Sequence, residues 1–126
     1  MKLKSLLIIS TVVTLVYGIF FVLTPATVLS LYGVTQGPSV ELMGQYFGSA
    51  LLAVGLLTWA TRNVADSEVQ RPIIVALLIT DVIGVIVSVL GTVSGVMSAV
   101  GWSAVGIYLL LALGFAYLQF MKPSAS

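Results

Sequence analysis

The chain has 126 residues, 60 % of them hydrophobic and 7 % charged, with a formal net charge of +1 and a mean hydropathy of +1.19. A soluble domain carries about 25 % charged residues, and one of this size buries only some two-thirds of its surface, so the surplus apolar side chain must face lipid. Cysteine and histidine are both absent, which excludes disulfides, thiolate metal sites, cysteine nucleophiles and a bis-histidine haem.

No metal and no cofactor is expected. The five basic residues are scattered and give no grip on nucleic acid, and neither a GxGxxG nor a GxxxxGK signature is present for a nucleotide.

The first element, MKLKSLLIISTVVTLVYGIFFVL, sets two lysines before an uncharged run. That run is longer than the about 7 to 15 apolar residues of a signal peptide, and no small-x-small cleavage site follows promptly. It is read as span 1, about residues 5–23. In TPATVLSLYG, Thr24 can cap a helix whose first position is Pro25, with Gly33 closing it two turns on. Val28, Leu29, Leu31 and Tyr32 are too few to cross a membrane and suit a short interfacial helix. VTQGPS, residues 34–39, is turn material.

Span 2 is about residues 41–61, with Ser39 as N-cap and Glu41 complementing the helix dipole in the first turn. RNVADSEVQRP is the only clearly hydrophilic stretch. Ser67 and Gln70 have capping-box spacing, and Pro72 is tolerable in an opening turn. Span 3 is therefore about residues 72–90. From Val82 to Met121 no charge appears for 40 residues. As one helix this would reach about 60 Å, roughly twice the hydrocarbon core. The glycines of GTVSGVMSAVG, residues 91–101, let it fold back, and span 4 is about residues 102–121, ended by Lys122 and Pro123. The expected fold is all-α: a single integral membrane domain, a polytopic four-helix bundle with a short interfacial helix between spans 1 and 2.

Four spans place the N-terminus, the loop 62–71 and the C-terminus on one side. Lys2, Lys4, Arg62, Arg71 and Lys122, all the basic residues, fall there. The positive-inside rule then sets both termini in the cytoplasm, in a cell inner membrane. Trp59 and Trp102 fall near opposite interfaces, as belt aromatics do.

Asp81 is the only ionisable residue inside a long hydrophobic run. It lies roughly 13 Å deep in span 3, counted at 1.5 Å per residue, where an acid costs about 2.5 to 3.5 kcal/mol on insertion scales and should face the bundle interior. Leu77, Asp81, Gly84, Ser88 and Gly91 share one helical stripe. Thr14 and Ser49 come out near the same depth, with Gln45 and Tyr108 about a turn nearer the outer side, so these four are expected to form a hydrogen-bonded pocket around the acid. No lysine or arginine is within a few turns, and the acid is expected to carry its proton for much of the time. Two readings stay open: a neutral packing element clipping span 3 to spans 1 and 2, and a proton or ligand site in a small cavity.

Span 2 carries a second stripe, Glu41, Gln45, Gly48, Leu52, Gly55, Trp59 and Arg62. Gly44 and Gly48, and again Gly91 and Gly95, have the small-xxx-small spacing that permits close helix approach, here expected within the bundle rather than between copies. Glu41 is a possible outer-face site for a cation or solute, or simply a favourable charge at a helix N-terminus.

ELMGQYFGSALLAVGLLTWATRN, then a third span with an acid, then GVMSAVGWSAVGIYLLLALGFAYLQF, resembles uncharacterised small bacterial four-span membrane proteins loosely related to the DoxX-like family. The likeness covers the chain from Pro25 onward. It implies a compact four-helix membrane bundle; some DoxX relatives are linked to quinone or thiosulfate oxidation as accessory subunits, and many have no assigned role. The lack of cysteine and histidine weakens that redox carry-over.

Three classes of function follow. The first is a non-catalytic accessory, scaffold or assembly subunit whose partners are membrane lipid, other membrane subunits or a second copy. The second is a small-solute or proton-coupled transporter using Asp81. The third is a membrane enzyme or redox-associated subunit binding a quinone or lipid, and no paired acid and base supports catalysis.

Overall fold

In lipid every backbone N–H and C=O must find its partner inside the segment, so apolar runs of this length form helices. The computed structural model describes residues 2–35 and 37–121. Its elements are α1 (Leu3–Leu23), α2 (Pro25–Leu31), α3 (Pro38–Ala60), α4 (Ser67–Val93) and α5 (Gly101–Ala116), whose end widens into a π-turn over Tyr117–Met121. The four long helices are each long and apolar enough to cross a membrane. The protein is a small all-helical multi-pass membrane protein with one short helix between its first two spans.

The helix ends differ from expectation in instructive ways. Gly37, not Ser39, precedes α3, because Pro38 needs no backbone donor and takes the first helical position. α4 begins a turn and more before Pro72. Asp66 caps it, accepting from the Glu68 backbone N–H at 2.9 Å, in place of the expected Ser67–Gln70 box. Pro72 sits in the second turn, where it forfeits only the bond to the Glu68 carbonyl at an exposed helix end. Gln70 is instead buried, donating from Nε2 to the Val64 carbonyl at 2.7 Å. α4 also runs on to Val93, so the turn is confined to residues 94–100, with Gly95 at φ +85°. Lys122 and Pro123, expected to end span 4, lie outside the described residues.

Packing divides the molecule into two hairpins. α1 lies along α3 and α4 along α5, and the hairpins meet chiefly through α1 and α5. Where the backbones of α1 and α3 cross, a Cβ on Gly48 would stand 2.7 Å from the Phe21 Cβ and 2.8 Å from the Gly18 carbonyl oxygen. Only glycine permits that approach, and it brings Thr11 and Thr58 hydroxyls to 2.7 Å of each other. Gly44, Gly48 and Gly55 thus face α1 and α2 within the bundle.

At the end bearing the chain's first described residues, Leu3, Leu6 and Leu7 of α1 close against Ile74 of α4 and Leu111, Phe115 and Leu118 of the α5 segment. This is the filled core. Toward the other end α2 folds over α1 and α3, and α3 and α4 do not pack along one another. The hairpins diverge there, and the space between them is where the candidate site lies.

Candidate functional site

α4 is 27 residues long, about 40 Å at 1.5 Å per residue, and Asp81 falls near its middle. The stripe read from the sequence faces inward: Asp81 and Ser88 are buried, and Leu77, Gly84 and Gly91 are partly so. Gly84 lacks the side chain that would collide with the Tyr108 ring, so that ring from α5 rests against α4 between Asp81 and Ser88. Three groups capable of hydrogen bonding therefore follow one another along about 10 Å of helix face.

They open onto a cavity of about 270 Å³, the room of about nine waters at ~30 Å³ each. α1 contributes Thr14, Tyr17 and Phe21; the α2 end contributes Leu29 and Tyr32; α3 contributes Phe47 and Leu51. Asp81, Gly84, Val87 and Ser88 form the α4 wall, with Ile107, Tyr108 and Leu111 opposite on α5. The walls are overwhelmingly apolar. Phe47 and Val87, on α3 and α4, line the cavity and are also 44 % and 62 % exposed, so its mouth lies between those two helices, facing lipid.

Of the residues singled out beforehand, Thr14, Asp81 and Tyr108 share this cavity. Gln45 and Ser49 do not. Both are exposed, because α3 turns its glycine face to α1 and each of them stands about 100° further round than Gly44 and Gly48 respectively. Gln45 donates to the Val22 carbonyl at 3.1 Å, closing α3 onto the end of α1. Glu41 is half-buried in the first turn of α3 and takes no part in the cavity.

The expected hydrogen-bonded pocket around the acid is not formed. Thr14 gives its hydroxyl to the Ser10 carbonyl at 2.7 Å, one turn back on its own helix. Asp81 makes no hydrogen bond among the described residues. The hydroxyls of Tyr17 and Tyr32 pair with each other at 3.0 Å, joining α1 to the end of α2. Neither tyrosine was singled out from the sequence, although Thr14, Tyr17 and Phe21 already follow three- and four-residue spacing on α1. Tyr32 reads as a headgroup aromatic until the fold turns it inward.

The α2 end of the cavity is closed by a backbone contact between the hairpins. Gly33, at φ +71°, ends α2 and lets the Tyr32 carbonyl accept from the Ser98 N–H at 2.7 Å. Chemically, the arrangement offers one carboxyl, two uncommitted hydroxyls on Ser88 and Tyr108, and a lining of rings and aliphatic chains. Among the described residues no group of three or more acidic, histidine or cysteine side chains could hold a metal. No family model matches the chain, and comparison with the curated proteins and the solved structures found no match.

Proposed function

We propose that this protein is a non-catalytic membrane protein that holds a small lipophilic molecule beside Asp81, serving as an accessory or binding subunit in the cell inner membrane. The observation that carries this reading is the buried carboxyl with no hydrogen bond among the described residues, facing a lipid-side apolar cavity. An acid kept at the cost of about 2.5 to 3.5 kcal/mol of insertion energy, and given no partner by the described residues, is explained by a partner from outside. A filled packing element would be hydrogen-bonded to its neighbours.

Lys2 and Lys4 open α1, and Arg62 and Arg71 flank the α3–α4 connection. All four lie toward the filled end of the bundle, which supports reading that end as cytoplasmic and the cavity as nearer the outer leaflet. Kinship with the DoxX-like proteins stays a proposal that the four-span architecture suits.

The test uses an apolar reporter in nanodiscs, p-fluorotoluene observed by fluorine NMR. A resonance separate from the lipid-dissolved one is expected for the native protein and for Asp81→Asn. It should vanish in Ala104→Phe, which places a ring in the lining. No separate resonance in the native protein would refute the reading.

A further inference from the structure

We propose that the molecule held at Asp81 is a small lipophilic cation, an amine or quaternary ammonium on an apolar body. The inference rests on the cavity being a ligand site and names the chemistry it selects. Charge is the first argument. Among the described residues Asp81 is the only charged side chain in the lining, and no described lysine or arginine joins it there. An ammonium supplies the opposite charge that the site lacks.

The rings are the second argument. Five aromatic side chains from four elements surround the space: Tyr17 and Phe21 on α1, Tyr32 at the end of α2, Phe47 on α3 and Tyr108 on α5. Aromatic faces attract cations, most strongly where water is excluded, and cages of such rings are the recurrent solution for quaternary ammonium groups. An acid set among rings is the donor set for a cation.

Hydrogen-bond supply is the third. The Tyr17 and Tyr32 hydroxyls are engaged with each other and that of Thr14 with a carbonyl, so only the Ser88 and Tyr108 hydroxyls stand beside the carboxyl, too few to satisfy the many groups of a polyol or sugar head. An anionic head would be repelled by Asp81. A quaternary ammonium asks for no hydrogen bond at all. Its apolar body can pass between Phe47 and Val87 from the lipid, since the α2 end is closed at Tyr32 and Ser98.

Proton competition follows from the same geometry. The titratable groups that line the cavity with Asp81 are Tyr17 from α1, Tyr32 at the end of α2 and Tyr108 from α5, while α3 presents only Phe47 and Leu51 and α4 adds no second titratable group. The cation therefore competes with a single proton. Wherever the free protein holds that proton, apparent affinity rises by up to about tenfold per pH unit, because binding releases it.

The experiment compares benzyltrimethylammonium with neopentylbenzene, its uncharged carbon isostere, by calorimetric titration of the full chain in nanodiscs, with protein-free nanodiscs as blank. The cation is expected to bind about tenfold or more tightly than the isostere. Asp81→Asn, checked for folding by circular dichroism, should lose that preference while Asp81→Glu keeps part of it. Equal binding of cation and isostere by the native protein would overturn the cation proposal and leave the ligand site standing. So would unchanged cation affinity in a folded Asp81→Asn. Binding of neither, with the p-fluorotoluene resonance also absent, would remove both.

Discussion

Replacing Asp81 by leucine should stabilise the bundle. On insertion scales an aspartate at mid-helix costs about 2.5 to 3.5 kcal/mol and a leucine gains about 0.3 to 0.6, a gap of roughly 3 to 4 kcal/mol for a side chain facing lipid. Asp81 is only 7 % exposed and faces a cavity, so about half of that gap, roughly 1.5 to 2 kcal/mol, is expected to appear. Nothing offsets it, because no described residue donates to or accepts from the carboxyl. Reversible unfolding in mixed detergent micelles, followed by circular dichroism as the denaturing detergent fraction rises, measures the difference. Asp81→Asn should lie within about 0.5 kcal/mol of the native chain, because it keeps the shape and polarity of the carboxyl and breaks no hydrogen bond among the described residues. A loss above about 1 kcal/mol for Asp81→Leu would mean that the acid organises the bundle, as the sequence alone suggested when Thr14, Ser49 and Gln45 were its expected partners, and the structural argument would fail.

Gly48→Ala places a Cβ 2.7 Å from that of Phe21 and should cost about 1 to 3 kcal/mol by overpacking. Gly106→Ala meets nothing within 4 Å and should gain about 0.5 to 1 kcal/mol; the same detergent titration giving both the same sign would contradict the packing described. Thr58→Val removes the 2.7 Å bond to Thr11 and should cost about 0.6 kcal/mol, the average for such bonds between membrane helices, with no loss of probe binding. Gly33→Ala forces an unfavourable backbone at φ +71° and crowds the Ser98 Cβ at 2.8 Å. It should speed hydrogen exchange at the Ser98 amide while leaving the Leu7 amide, in the filled core, unchanged.

Composition and periodicity reached the fold because lipid narrows the choices. Apolar runs must be helices, and the uncharged 40 residues after Asp81 had to double back. The helix ends were harder, since Asp66 and Ser67 both offer a cap and Pro72 is misleading when only one exposed bond is lost to it. The α4 stripe from Leu77 to Gly91 was legible because a carboxyl, a serine and glycines do not face lipid without cause. Depth counting placed Thr14, Ser49, Gln45 and Tyr108 at similar levels, but depth says nothing of rotation about an axis. The rotation of α3 was set by Gly18 against Gly48, a contact between helices that neither span reveals alone. For the same reason Tyr17 and Tyr32 entered the site unannounced.

The central claim is that Asp81 faces a ligand cavity rather than a sealed hydrogen bond. Infrared difference spectra of the native chain against Asp81→Asn, taken at acid pH in nanodiscs before and after adding p-fluorotoluene, test it most directly. A carboxyl open to the cavity gives a C=O stretch at the high-frequency end of its range, as for an acid with no protein partner, and that band shifts when the probe binds. A low-frequency band indifferent to the probe would show an acid already bonded to the protein, and would contradict that claim.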